Sequence, residues 1–378
     1  MNLGILLCYQ FCALLQCLKL QTPVTLKTVR GVFMAAQLEM GLDTFGDVTY
    51  DLNGRTLPQA QVIRNVVAEG VLADQLGLDF FGVGEHHRDD FAVSAPEVVL
   101  AAIAAQTKKI HLGSAVTVLS SDDPIRVFQR FATIDAISNG RAEVIMGRGS
   151  FIESFPLFGF NLQQYEELFE EKLDLFAQIL KGNPVNWNGE TRVPVTNQSV
   201  FPQTEKPLRT WIGVGGTPKS VMRAAHYGFP LMLAIIGGDP KGFKPFVDLY
   251  YKGLSQFNQR TQPVGVHSPG FIAKTDEEAK ETIWPHYRTM MNRIGKDRGW
   301  PPITKEQFEH QLGEEGSLYV GSPETVANKI AATVKYLGVS RFDLKYSLGS
   351  LPHEDLMKCI ELYGTQVVPL VREKLSKG

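Results

Sequence analysis

Directly after the apolar string Asp79–Gly84, the run Glu85-His86-His87-Arg88 sets four ionisable side chains in succession. Groups of this kind are costly next to a buried strand unless a site uses them. Histidine changes charge near neutral pH, so His86 or His87 suits acid–base work, and Glu85 could orient one of them. A plain alternative is that one histidine merely caps the following loop. A metal site is another, since adjacent histidines at a strand end can bind zinc, but such sites gather further ligands from other strand ends. The candidates His226, His267 and His353 read as helical or as lying at strand starts. A metal hydrolase is therefore disfavoured and no metal ligand is assigned.

Two glycine-rich strings look built for an anion. Gly147-Arg148-Gly149-Ser150 ends one apolar run, and Gly213-Val214-Gly215-Gly216-Thr217 ends another and opens a helix. Glycine lets backbone N–H groups approach a phosphate closely, and a helix N-terminus adds a favourable dipole. Arg148 offers a planar fork that matches phosphate geometry, while Thr217 and Ser220 offer hydroxyls in the first helical turn. A single Gly-Gly-Thr before a helix is also an ordinary cap; two such ends with an arginine are more specific. Gly237-Gly238 reads as a turn. No dinucleotide fingerprint follows the first strand and no Walker motif is present, which counts against dinucleotide or ATP use. The formal net charge is −2, so neither nucleic acid nor an anionic membrane is expected as a partner.

The elements that must position these residues alternate along the chain. Strands are expected at 37–45, 79–84, 110–119, 141–147, 209–214, 230–236, 264–272 and 342–346. Helices are expected at 59–76, 95–105, 124–138, 165–180, 218–227, 242–259, 323–337 and 352–374. A hairpin excursion fits 183–207, and a polar, partly helical insertion fits 276–316, before the last strand. Eight strands separated by helices imply parallel pairing through right-handed crossovers. The expected fold is α/β, a single (β/α)8 TIM barrel over 37–378, whose active site lies at the carboxyl ends of the strands.

Hydrophobic residues make up 44% and charged residues 21%, as in ordinary globular proteins. Residues 1–36 read as an N-terminal extension outside the core. Its apolar stretch Leu3–Leu18 carries Cys8, Cys12 and Cys17 but has no basic residue ahead of it. It is also short for a membrane span, which needs about 20 residues. With Cys359 the only later cysteine, no disulfide framework is expected, and a reducing, cytoplasmic setting is favoured.

Three strings carry a family resemblance: G-L-D-F-F-G-V-G-E-H-H (77–87), L-G-S-A-V-T-V-L-S-S-D-D-P-I-R (112–126) and I-D-A-I-S-N-G-R-A-E-V-I-M-G-R-G (134–149). In this order and spacing the chain resembles the luciferase-like flavin monooxygenases from about Leu38 onward. The resemblance implies reduced FMN (FMNH2) as cofactor, O2 as oxidant, a small organic substrate, a separate NAD(P)H flavin reductase and a homodimer. It implies that His86 lies by the flavin and supports its oxygen chemistry. Arg148, Gly149 and Ser150 would hold the phosphate, together with Gly215, Gly216, Thr217 and Ser220. A non-proline cis peptide would fall at about Ala115-Val116, under the flavin ring. Two departures stand out. Met146 replaces the reactive cysteine of luciferase α-subunits, and Tyr165-Glu166 stands where those have an arginine. Tyr165 would be a phosphate ligand, as in other branches, and light emission is not expected. Alternatives are a deazaflavin-dependent oxidoreductase and a non-catalytic flavin-binding protein of the same fold.

Overall fold

The computed structural model describes residues 38–51, 53–149 and 151–377. The expected extension 1–36 lies outside the described residues, as does Ser150. Along the first strand, Leu38, Met40 and Leu42 are buried against helices, while Glu39 and Asp43 face the other way and meet partners from other strands. Successive side chains of a strand point to opposite faces. Here the apolar face looks outward to a helical layer and the polar face looks into a barrel.

Eight parallel strands close that barrel: β1 (Glu39–Thr44), β2 (Phe80–Val83), β3 (His111–Ser114), β4 (Ala142–Gly147), β5 (Arg209–Val214), β6 (Leu231–Ala234), β7 (Val264–Ile272) and β8 (Arg341–Lys345). Each pairs with the next, and β8 pairs back to β1 through Glu39–Arg341 and Asp43–Lys345. The third strand is shorter than the expected 110–119. It stops at Ser114, the Ala115–Val116 peptide is cis, and Thr117–Val118 resumes pairing with β4.

The outer layer contains α1 (Gln59–Gln75), α2 (Pro96–Ala104), α3 (Pro124–Ser138), α4 (Tyr165–Ile179), α5 (Pro218–Tyr227), α6 (Lys244–Gln256), α7 (Pro323–Leu337) and α8 (His353–Leu362). Local chemistry sets several boundaries. Asp123 caps α3 by accepting from the Ile125 and Arg126 amides, and Asn139 closes it in a left-handed conformation. Proline fills the first turn of α2, α3, α5 and α7, where its missing N–H costs nothing. The hairpin pairs Val185–Trp187 with Val195–Gln198. Between β7 and α7 lies the insertion, made of helices Asp276–Arg298 and Lys305–Leu312, followed by a short strand, Tyr319–Gly321, beside β7. Among the described residues no helix is long and apolar enough to cross a membrane.

The lumen is stacked in levels. At the amino-terminal end Glu143 is fully buried between Arg341 (2.7 Å) and Arg209 (2.8 Å), and Arg209 also holds Glu39 (2.9 Å). Above this ion network Phe80, Ile145, Trp211 and Met232 form an apolar plug. The central carbon of the Arg341 guanidinium lies over Phe80, 3.6 Å from the ring centre. Above the plug the lumen opens.

Candidate active site

The opening is a cavity of about 290 Å³ at the carboxyl ends of the strands, lined on its apolar side by Ala115, Val116, Val118, Ile145 and Met232. Small inward residues make the space. Gly147 and Gly213 sit on β4 and β5 where a Cβ would come within 2.6 and 3.1 Å of the Val116 side chain. Ala115 and Val116, on either side of the cis peptide, both face the cavity.

One end of the cavity is suited to an anion. Arg148, Gly149, Gly215, Ser220 and Tyr165 line it. Gly149 has a left-handed φ of +77°, which lets the chain turn back at the end of β4 without a side chain. At Gly215 a Cβ would meet nothing within 4 Å, so the backbone there is bare to a ligand. Thr217 precedes α5, and its hydroxyl donates to Ser220 Oγ (2.8 Å). Gly216, at φ +103°, forms the turn between β5 and that helix. Tyr165 donates its hydroxyl to the Gly149 carbonyl (2.8 Å), bracing the loop that carries Arg148, and burial raises its pKa.

Arg148 is ion-paired with Glu166 on α4. Glu166 also meets Arg223 (3.1 Å) and Lys219 (3.5 Å) of α5, and both of these bind Glu170. Arg223 is mostly buried and its Nη1 has no hydrogen-bond partner. Sequence reasoning missed Lys219 and Arg223, whose basic character at four-residue helical spacing was the available signal.

At the other end His86 lines the cavity, with its Nδ1 3.6 Å from Glu153. Its ring packs edge-on against Phe45 (4.9 Å) and against Phe151 (5.1 Å). Burial would raise the Glu153 pKa, but bonds from His86 and nearby amides hold it below the usual glutamate value. Glu85 orients His87, not His86: its Oε1 meets His87 Nε2 at 2.8 Å and its Oε2 accepts from the Val118 amide at 3.1 Å. His87 is not among the cavity's lining residues and packs against Phe158 (4.9 Å), so of the two histidines only His86 reaches the cavity. His267 corrects its expected place at a strand start. It stands mid-way along the nine-residue β7, facing the lumen, bound to Asp43 (2.7 Å).

A second chamber of about 540 Å³ adjoins the first and shares Phe45 and Ile236 with it. Its walls are largely apolar, with Phe91, Phe151, Met290, Met291, Ile294 and Trp300 prominent. Several come from the insertion. Ion pairs tie that insertion to the loop after β2: Arg88 to Asp297 (2.8 Å), and Arg293 to Asp89 and Asp90.

Residues 44–341, most of the chain, match the family model for luciferase-like monooxygenase. An alkanal monooxygenase alpha chain from Photorhabdus luminescens is 22% identical, covering 87% of this chain and 97% of that one. The FMN complex of the oxygenating constituent of 3,6-diketocamphane monooxygenase from Pseudomonas putida shares the fold. It has a TM-score of 0.69 and 20% identity over 88% of this chain and 98% of that one. The F420-dependent tetrahydromethanopterin reductase of Methanopyrus kandleri also shares it, at 0.67 and 20% identity over 88% and 99%.

Proposed function

Because the chain belongs to the luciferase-like monooxygenase family, we propose that it uses reduced FMN and O2 to oxygenate a small organic substrate, the flavin being supplied by a separate reductase. The observation that carries this reading is one continuous cavity with a bare-backbone, arginine-bearing mouth at one end and a carboxylate-paired histidine at the other. The donor set fits the cofactor: Arg148, Ser220 and the exposed backbone at Gly149 and Gly215 would take the phosphate, and the apolar walls would take the ring. Bound there, the flavin supplies the oxygen chemistry.

The protein's own residues orient and shield. Arg148 and the turn into α5 fix the anionic end, and Ala115 and Val116 form the apolar wall. His86, held by Glu153, carries a proton where the two chambers meet at Phe45. The apolar second chamber would receive the substrate and keep water out. We also propose a homodimer, and a single barrel domain from residue 37 onward.

Absorbance titrations with FMN and with the deazaflavin test the cofactor, since the same fold serves F420 in the Methanopyrus enzyme. Oxygen uptake with a flavin reductase then tests the reaction across substrate classes. Tighter binding of the deazaflavin would replace the monooxygenase reading with that of a deazaflavin-dependent oxidoreductase. Flavin binding without turnover on any substrate would favour a non-catalytic flavin-binding protein.

A further inference from the structure

His267 and Asp43 form a pair that neither the barrel's closure nor the roles above require. They sit on β7 and β1, which are not neighbours, so their 2.7 Å contact reaches past β8 inside the lumen. Both line the cavity. Asp43 is 1% exposed, and its second oxygen, Oδ1, has no hydrogen-bond partner. An ionised oxygen left that way is costly unless a neighbouring cation offsets it.

The charged groups facing His267 are Asp43 from β1 and Asp343 and Lys345 from β8. Asp343 is engaged by Arg341 through both oxygens (2.9 and 3.0 Å), and Lys345 is engaged by Asp47 (2.9 Å) and by Ser347. With Nδ1 committed to Asp43, the polar atom His267 has left for a ligand is Nε2. Phe45 lies nearly parallel to the ring, 6.1 Å from it. Burial works against a charge on His267, but the Asp43 carboxylate, with help from Asp343, outweighs it and raises the pKa above the ordinary histidine value. In its protonated form the ring is a charged donor, whose hydrogen bond is about twice as strong as a neutral one.

We propose that the His267–Asp43 pair is a second donor site on the cavity floor, separate from His86, which binds an oxygen of the flavin ring and makes the site prefer the reduced flavin, whose ring can carry a negative charge, to the oxidised flavin, whose ring is neutral. This rests on the flavin reading of the cavity. The reduced ring gives up a proton near neutral pH and becomes an anion while the oxidised ring stays neutral, so a charged donor distinguishes the two forms, whereas the phosphate contacts at Arg148 are common to both. The preference would suit a protein that must capture FMNH2 from a reductase and not be blocked by the oxidised cofactor.

The test is the ratio of dissociation constants for oxidised FMN and for FMNH2, measured anaerobically for the wild type, His267→Gln and Asp43→Asn. Wild type should bind FMNH2 more tightly. Both variants should lower that ratio by about tenfold, equivalent to about 30 mV off the two-electron potential of the bound flavin. Asp43→Asn keeps the side-chain volume and decides the matter if His267→Gln does not fold. In the ligand-free protein, Asp43→Asn should also lower the pH at which the His267 ring titrates by NMR. An unchanged ratio in variants that still bind FMN, or an unmoved titration, overturns the inference and leaves the proposed function standing. A wild type that binds neither form of FMN overturns both.

Discussion

The Arg148 guanidinium at the cavity mouth is already paired, to the Glu166 carboxylate of α4, so any ligand phosphate has to compete with that carboxylate for it. Arg148→Ala should weaken FMN binding by about 1.5–3 kcal/mol, the range for a hydrogen bond to a charged group. Glu166→Gln should do the opposite and tighten it, because it also releases Arg223 and Lys219 from the same carboxylate. Fluorescence titrations read both, and riboflavin, which has no phosphate, should show neither effect. Weaker FMN binding in Glu166→Gln would make that residue a brace for Arg148 and not its competitor.

His86 and His87 should separate cleanly. His86→Ala is expected to leave flavin affinity nearly intact while cutting oxygenation by about 10²-fold, the lower end of general acid–base contributions. His87→Ala should keep most turnover, since that ring does not line the cavity and is bonded to Glu85, which does. Steady-state oxygen uptake measures both. Turnover within a factor of about two of wild type in His86→Ala would remove it from the chemistry.

Gly215 offers a test of where the ligand lies. A methyl at this position meets no protein atom within 4 Å, so Gly215→Ala should leave the melting temperature unchanged. The same methyl would stand in the cavity and weaken FMN binding. A variant that binds FMN as tightly as wild type would show that the phosphate end lies elsewhere.

The buried Glu143 predicts acid sensitivity. Burial raises its pKa, but Arg341, His111 and Arg209 outweigh burial and hold it well below the usual glutamate value. A carboxylate with a depressed folded pKa contributes stability above its unfolded value, and that contribution is lost as the pH falls below about 4.5. Denaturant midpoints should therefore drop steeply in that acid range. Glu143→Gln should cost about 3–5 kcal/mol at neutral pH, since it leaves Arg341 buried with one partner fewer, and should flatten the acid dependence. A wild-type midpoint that holds steady into that acid range would contradict the assignment.

The barrel was legible because helix caps and apolar strings recur at regular intervals, and most elements fall within a residue or two of their expected ends. The glycine-rich strand ends and His86 were legible for a related reason: each directly follows an apolar run. His267 was hidden because β7 is buried along its whole length, so its inward and outward positions read alike. Asp43 was hidden differently. It lies on the polar side of an alternating strand, which ordinarily means solvent but in a barrel means the lumen. Glu153 gave no signal, since it comes to His86 from the irregular segment after β4.

The second chamber takes much of its wall from the insertion, while the cavity above the barrel plug is built from strand ends and the turns behind them. The second chamber thus draws on the insertion as well as on strand ends and loops, and the first cavity draws on none of the insertion. Substitutions at Met290, Met291, Ile294 or Trp300 can reshape what the chamber admits without touching the turn into α5 or His86. On the proposed function, a scaffold divided this way could diversify its choice of substrate through the insertion while the cavity of strand ends stays fixed, with Phe45 and Ile236 lining both spaces.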